Sequence, residues 1–185
     1  MGPSEWITRF ASLVPAGGSV LDVAAGGGRH TRYFLERGHR VTAVDRDTSG
    51  LADLHDDAAT EIVEFDLEAG DPFPFRGRTF DGVVVTNYLH RPILPDIVAA
   101  VAAGGVLLYE TFARGQERFG RPQNPDFLLR PGELLDAVRG ALRVVAYEDL
   151  VLGEPGPRAV QRIAAVPALD LSGDKANQEG RLTRP

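Results

Sequence analysis

The sequence has no cysteine, and its 185 residues include one methionine, one tryptophan and four histidines. Without cysteine the chain cannot form disulfides, zinc–thiolate sites or thiol nucleophiles, although this absence says little about its compartment. Basic residues are not in excess either, because 26 Asp and Glu outnumber 20 Lys and Arg and give a net charge of -6. Such a charge repels phosphate at long range, so general binding to nucleic acid or anionic membrane is not expected. A local basic patch is still compatible with it.

Long apolar runs are also missing. No segment approaches the roughly 20 apolar residues that a membrane span requires, and the N-terminal MGPSEWITRF lacks the apolar stretch of a signal peptide. The composition, 43% hydrophobic and 25% charged, is that of an ordinary globular protein, and the length fits one domain. We therefore predict a soluble, cytoplasmic protein with a single domain over residues 1–168. Residues 169–185 are predicted to form a polar, flexible tail.

Strand-like and helix-like segments alternate along the chain. The predicted strands are Ser19–Val23, Arg40–Val44, Glu61–Phe65, Phe80–Thr86, Val106–Tyr109, Leu142–Glu148 and Ala159–Val166. The predicted helices are Ser4–Leu13, Arg29–Arg37, Thr48–Asp57, Asp96–Ala102 and Pro131–Val138. This alternation favours βαβ units and therefore an α/β fold, in which a mostly parallel sheet is covered on both faces.

The stretch VLDVAAGGGRHTRYF places Gly26, Gly27 and Gly28 between the first strand and the first helix. In parallel sheets ligands bind beyond the carboxyl ends of the strands, and bare glycines let a ligand approach the backbone there. A plain tight turn is the alternative. A dinucleotide site would also lie here, but its third glycine is replaced by Thr31. Asp22 would repel a pyrophosphate and suits a cationic ligand better.

This stretch resembles the first motif of the class I S-adenosylmethionine-dependent methyltransferases. Asp22, Gly26 and Gly28 match that motif, and Ala24 stands where its first glycine usually lies. The family's later motifs have counterparts in the expected order, in VTAVD, IVEFDLE, FDGVVVTNYLH and AAGGVLLYE. The resemblance covers roughly residues 18 to 111. It is similar to small bacterial methyltransferases of the tellurite-resistance or general methyltransferase-domain type.

The resemblance implies a doubly wound, Rossmann-like sheet of seven strands with the last strand antiparallel, and S-adenosylmethionine as cofactor. In the family pattern Asp45 holds the ribose hydroxyls, Asp66 meets the adenine amine and Asp22 lies near the cofactor's ammonium group. Alternatively, Asp22 only orients the glycine loop, and Asp66 only forms a turn. The predicted cofactor-binding residues are Asp22, Ala24, Gly26, Gly28, Arg29, Asp45, Arg46, Asp66, Leu67 and Asn87. Arg29 either pairs with the cofactor carboxylate or lies on the surface.

Methyl transfer from an activated sulfonium requires mainly alignment of the reactants and exclusion of water, and a base is needed only for a protonated nucleophile. Tyr88 and His90, after the fourth strand, are the catalytic candidates, although a lone histidine there can also serve as a capping or packing residue. The Asn/Asp-Pro-Pro-aromatic motif of nucleobase methylation is absent from this place. The remaining histidines, His30, His39 and His55, have no metal-ligand spacing, so no metal is predicted.

The segment Phe112–Arg130 has no clear period and follows the fifth strand, where it can overhang the site as a lid. It contains an excess of arginine. One hypothesis is that Arg118, Arg121 and Tyr88 bind a small anionic acceptor; the alternative is a solvated loop held by surface ion pairs. The sequence thus predicts a methyltransferase for a small molecule. An NAD(P)-type oxidoreductase and a non-catalytic cofactor-binding module remain the alternatives, and the sequence predicts no oligomeric state.

Overall fold

Seven strands form one mixed sheet in the computed structural model, which describes residues 2–153 and 155–168. The strands are β1 (Ser19–Val23), β2 (Arg40–Asp45), β3 (Thr60–Glu64), β4 (Phe80–Thr86), β5 (Val101–Phe112), β6 (Leu142–Leu152) and β7 (Arg158–Pro167). Their order is β3-β2-β1-β4-β5-β7-β6, with β1 to β5 parallel and β7 antiparallel to both of its neighbours. The predicted fold class is confirmed. The tail predicted at residues 169–185 lies outside the described residues.

Four short α-helices cover the sheet: α1 (Glu5–Phe10), α2 (Arg29–Leu35), α3 (Leu94–Ala99) and α4 (Glu133–Val138). Ser4 caps α1 as predicted, because its hydroxyl accepts a hydrogen bond from the Trp6 amide at 3.1 Å. The helix predicted over Thr48–Asp57 is wrong in type and length, since a 3₁₀ helix covers only Ser49–Leu54. Gly50 disfavours an α-helix there, and Leu51 is buried beside the glycine turn.

β5 is much longer than the sequence predicts. Its first residues, Val101 to Gly105, are small and carry little apolar signal, yet they belong to the strand that continues to Phe112. β6 and β7 form a long antiparallel hairpin. Leu142 pairs with Pro167 at one end of it, and Leu152 pairs with Arg158 at the other. Cross-strand pairing therefore determines the lengths of these strands, and the apolar pattern within each strand does not show it.

Two apolar layers fill the space on the two faces of the sheet. Val83 and Val85 of β4 belong to the layer that includes Ile97 of α3 and Leu134 of α4. Val84, between them, belongs to the opposite layer, with Trp6 of α1. This alternation is the period of a strand, and it buries the central strands on both faces. Because β1, β2 and β4 are neighbouring parallel strands, their carboxyl ends lie together at one end of the sheet.

None of the helices in the described ranges has the length and apolar content to cross a bilayer.

Candidate functional site

The turn between β1 and α2 depends on left-handed backbone conformations. Ala24, Gly26 and Gly28 have φ values of 54°, 54° and 71°. A Cβ on Gly28 would collide with the side chain of Leu51 and lie 2.7 Å from Nη1 of Arg32, whereas a Cβ on Gly26 would meet nothing within 4 Å. Gly28 is thus required for packing inside the turn, and Gly26 leaves open space. The predicted role of Gly28 in cofactor binding stays a prediction.

Two aspartates at the ends of β1 and β2 have different environments. The Asp45 carboxylate accepts hydrogen bonds from the amides of Gly26 at 2.7 Å and Asp47 at 3.0 Å, which links β2 to the glycine turn. Asp22 is buried and accepts a hydrogen bond from the Thr31 hydroxyl at 2.7 Å. Burial raises the pKa of Asp22 to about 6, although the hydrogen bonds from Thr31 oppose the shift. Asp22 thus holds Thr31 of α2, whereas Asp45 is the carboxylate that binds an amide of the glycine turn.

A cavity of about 370 Å³, which we call the polar cavity, lies at the carboxyl ends of β1, β2 and β4. Its lining residues are Ala24, Asp45, Arg46, Phe65, Asp66, Leu67, Glu68, Asn87, Tyr88 and Phe127. Six of the residues predicted to bind a cofactor are therefore brought together here. Asp22, Gly26, Gly28 and Arg29 do not line it. Phe65, Glu68 and Phe127 were missed, and only Glu68 had a signal, its position two residues after Asp66.

A second cavity of about 420 Å³, which we call the apolar cavity, adjoins the polar one. Its lining residues are Glu68, Asn87, Tyr88, Leu89, Thr111, Phe112, Arg121, Pro122 and Phe127. Glu68, Asn87, Tyr88 and Phe127 line both cavities and form their shared wall. The segment Phe112–Arg130 therefore reaches the site, as the lid prediction requires. Arg118 is exposed and lines neither cavity, and His90 also lines neither.

Tyr88 stands at the shared wall. Its hydroxyl is buried and has no hydrogen-bond partner within the described residues, while its carbonyl accepts a hydrogen bond from the Tyr109 hydroxyl at 2.9 Å. Burial, together with the charges of Glu68, Asp66 and Asp45, raises the pKa of Tyr88 well above its ordinary value. The phenol is therefore protonated near neutral pH and can donate a hydrogen bond, but it cannot act as a base there.

Asp66 forms a turn and lines the cavity at the same time. Its Oδ1 accepts a hydrogen bond from the Glu68 amide at 2.9 Å, which is the turn geometry that the sequence left open. This turn brings Glu68 to the shared wall. Asn87, with φ 55°, donates its amide to the Glu110 carbonyl at 2.9 Å and directs the chain from β4 across both cavities.

Arg29 does not line the polar cavity, but its side chain reaches the end of β4, where its Nη2 donates to Oγ1 of Thr86, the last residue of that strand, at 3.3 Å. The prediction of no metal is untested by this structure, although residues 2–153 and 155–168 contain no group of three or more His, Asp or Glu suited to one. A larger cavity of about 780 Å³ lies apart from the strand ends, between α3 and α4. Of its four charged lining residues, Arg91 and Arg130 both pair with Glu133, and Asp136 pairs with Arg139, so it offers little free charge.

Comparison with known proteins adds independent information. The family described as "Methyltransferase domain" matches residues 20–105. The ubiquinone biosynthesis O-methyltransferase of Burkholderia ambifaria (strain MC40-6) is 30% identical over 177 residues, which cover 83% of this chain and 75% of that protein. The enzyme of the same name from Burkholderia multivorans (strain ATCC 17616 / 249) is 33% identical over 122 residues, 62% of this chain and 52% of that protein. The chain thus spans about half the length of the latter relative.

Solved structures support the fold. TehB from Haemophilus influenzae superposes with a TM-score of 0.67 at 19% identity, covering 89% of this chain and 62% of that one. At this identity the likeness concerns the arrangement of strands and helices and does not extend to the substrate.

Proposed function

The chain belongs to the class I S-adenosylmethionine-dependent methyltransferases, and from this premise we propose that it transfers the cofactor's methyl group to a small acceptor bound in the apolar cavity. One observation carries the proposal: the polar and apolar cavities share a wall made by Glu68, Asn87, Tyr88 and Phe127. Methyl transfer requires a donor and an acceptor in contact, and two adjoining cavities offer neighbouring places for them.

The residues of the polar cavity fit this cofactor. Asp45 offers a carboxylate at the strand end, suited to hydroxyl donors, and Asp66 offers a second one beside Leu67. The buried Tyr88 hydroxyl, without a partner among the described residues, stands at the wall shared with the apolar cavity and is left for the acceptor. When bound, the cofactor supplies an already activated methyl group. The protein's own task is then to orient the acceptor and to keep water out.

Glu68 is the proposed base for a protonated acceptor. It is the one carboxylate among the residues that line the apolar cavity, and it also lines the polar cavity, where the donor would lie. Tyr88 is proposed as a neutral hydrogen-bond donor that orients the acceptor. His90 and Arg118 have no direct part in this mechanism, because neither lines a cavity.

The proposed acceptor is small, partly apolar and anionic. Leu89, Phe112, Pro122 and Phe127 supply apolar contacts, and Arg121 is the one cation among the residues lining the apolar cavity. An aromatic acid with a hydroxyl group matches this lining, because its ring contacts the phenylalanines and its carboxylate pairs with Arg121. Similarity to O-methyltransferases supports an oxygen acceptor. The net charge of -6 disfavours nucleic acid, and a cytoplasmic location remains part of the proposal.

Calorimetric titration of the protein with S-adenosylhomocysteine and with NAD tests the cofactor. We expect binding of the former only; binding of NAD alone would instead support an oxidoreductase. Incubation with S-adenosylmethionine and a panel of hydroxybenzoates, aliphatic hydroxy acids and neutral phenols then tests catalysis through formation of S-adenosylhomocysteine. Turnover restricted to the hydroxybenzoates supports the proposed acceptor. Binding without turnover of any acceptor would favour the non-catalytic module.

A further inference from the structure

A chain of buried hydrogen bonds joins the N-terminal segment to the end of β4. The Ser4 amide donates to Nε2 of His30 at 3.1 Å, and Nδ1 of His30 lies 3.3 Å from Oγ1 of Thr86. Thr86 is also the hydroxyl that accepts a hydrogen bond from Arg29. His30 is 1% and Thr86 9% exposed, so little water competes for these contacts. Three consecutive hydrogen bonds therefore join Ser4, His30, Thr86 and Arg29.

The geometry defines where the protons lie. Because Nε2 of His30 accepts from an amide, the neutral ring carries its proton on Nδ1 and donates it to Thr86. Burial and the nearby Arg29 lower the pKa of His30 to about 3, which keeps the ring neutral. Thr86 then accepts from both His30 and Arg29. Its own hydroxyl proton remains available for a further acceptor.

Ser4 is anchored on a second side as well. Its hydroxyl donates to Oε1 of Glu110 at 2.9 Å, and the other oxygen of Glu110 lies 3.3 Å from Nη1 of Arg162. The Arg162 guanidinium in turn lies 4.8 Å from the centre of the Trp6 ring. These contacts hold the start of α1 against β5 and β7. The start of α1 is thus fixed to the sheet by Ser4 and Trp6.

Arg29 is the charged end of this series. Within the described residues it forms no ion pair, and its recorded side-chain hydrogen bond is the one to Thr86. The residue after Thr86, Asn87, lines the polar cavity, and so does Ala24 at the start of the turn that Arg29 follows. A guanidinium beside the cavity, together with a hydroxyl that can still donate, suits a carboxylate.

We propose that Ser4, His30 and Thr86 are positioning residues that hold Arg29 toward the carboxylate of the cofactor's amino-acid part. The inference rests on the proposed function, because it requires the cofactor to bind with its amino-acid part beside β4. It extends the site to residues 26 positions or more apart in the sequence.

Binding of two ligands tests the proposal. S-adenosylhomocysteine carries the amino-acid part, and 5′-methylthioadenosine lacks it. Thr86→Val removes the hydroxyl at nearly constant volume, and we expect it to weaken S-adenosylhomocysteine roughly tenfold or more while changing 5′-methylthioadenosine less than about twofold. Thr42→Val is the matched control. Thr42 is also a buried strand threonine, 7% exposed, whose hydroxyl donates to Glu61 away from both cavities.

Two variants of His30 separate its two contacts. In His30→Asn the amide nitrogen can occupy the place of Nδ1 and still donate to Thr86, whereas in His30→Gln the amide oxygen can replace Nε2 as acceptor for Ser4. If Thr86 is the direct link to Arg29, His30→Asn retains more affinity for S-adenosylhomocysteine than His30→Gln. Thermal unfolding of each variant shows that the protein is folded during the titrations.

The outcomes are distinguishable. A wild-type protein that binds neither ligand contradicts the proposed function itself. If the wild type binds both ligands and Thr86→Val weakens both equally, or neither, the proposed function stands and the positioning role is wrong. Selective loss for S-adenosylhomocysteine, absent in Thr42→Val and restored by Thr86→Ser, supports the inference.

Discussion

Asp45 is the residue on which cofactor affinity is expected to depend most. Asp45→Ala should weaken S-adenosylhomocysteine binding by about 1.5–3 kcal/mol, the scale of hydrogen bonds to a charged group. The change also removes the acceptor for the amides of Gly26 and Asp47. Asp45→Asn is a partial control, since its one amide oxygen can still accept from the Gly26 amide but not from the Asp47 amide as well. Calorimetry on the folded variants measures the effect, and unchanged affinity in Asp45→Ala would exclude Asp45 from the site.

Gly28 and Gly26 allow a matched comparison within one turn. Both have positive φ, so alanine strains the backbone at either position, but only at Gly28 does the new Cβ meet the side chains of Leu51 and Arg32. Gly28→Ala should lower the free energy of unfolding by about 1–3 kcal/mol more than Gly26→Ala does, the typical cost of overpacking. Urea unfolding measures the difference. Equal losses would show that strain alone matters.

Glu68 is expected to act on turnover and not on the cofactor. With a hydroxybenzoate as acceptor, Glu68→Gln should lower kcat by roughly 100-fold, the lower end of the range for general base catalysis. Affinity for S-adenosylhomocysteine should stay nearly unchanged. His90→Ala serves as the control and should keep normal turnover. The reverse pattern would assign the base to His90.

Among the elements, the segment Phe112–Arg130 is held in place by its flanks. Nε of Arg91 donates to Glu133 at 2.7 Å, and its Nη2 donates to the Leu128 carbonyl at 2.9 Å, so the end of the segment is fixed to α4. The Gln116 side chain donates to the Arg121 carbonyl at 3.0 Å and accepts from the Ala159 amide at 3.0 Å. The segment that overhangs the apolar cavity is therefore anchored at several points.

Two arginines of this segment have different positions, because Arg121 lines the apolar cavity and Arg118 does not. Arg121→Ala should raise the KM of an anionic acceptor roughly tenfold or more, the value of one charge-assisted hydrogen bond, without changing cofactor affinity. Arg118→Ala should change neither quantity, because Arg118 is exposed and lines no described cavity at this site. Steady-state kinetics on the two variants decides the matter. Equal effects would mean that the segment attracts the acceptor through its overall charge.

For the molecule as a whole, buried titratable groups determine the response to acid. His30 has a folded pKa of about 3 against an ordinary 6.5, so its stabilising contribution is complete above pH 6.5 and is lost as the pH falls toward 3. Despite opposing burial, hydrogen bonds from Arg91 and Arg130 lower the pKa of Glu133 to about 2, and its contribution is lost below about pH 4.5. Asp22 has the opposite effect. Its buried charged form destabilises the folded protein, and protonation below about pH 6 removes that cost.

The losses at His30 and Glu133 together outweigh the gain at Asp22, so the free energy of unfolding should fall markedly below about pH 4.5. Between pH 6.5 and 4.5 the His30→Asn variant should lose less stability than the wild type, by up to about 1.4 kcal/mol per pH unit, because it has no group to protonate there. Urea unfolding at several pH values provides the measurement. Parallel curves for the two proteins would show that His30 does not carry this dependence.

Local sequence determined much of the fold. β1 and β4 have the predicted bounds because each is an apolar run ended by turn-forming residues, and parallel pairing follows from their alternation with helices. The same logic brought Asp45, Asp66 and Asn87 to one edge, since the carboxyl ends of parallel strands meet there. The family resemblance supplied the cofactor, which no pattern of periodicity or charge could have named.

Only the tertiary structure decided which residues line the apolar cavity and which residues hold the N-terminal segment. Phe127 lines the same cavity as Glu68 and Tyr88 only because the chain returns across the strand ends after β5, and no periodicity within the segment encodes that path. Arg118 and Arg121 look equivalent in sequence, yet their local turns separate them. Ser4, His30 and Thr86 likewise come together through contacts 26 and 56 residues apart. Such contacts depend on the packing of α1 and α2 against the sheet, which involves distant residues at once and leaves no signal in any short stretch of the chain.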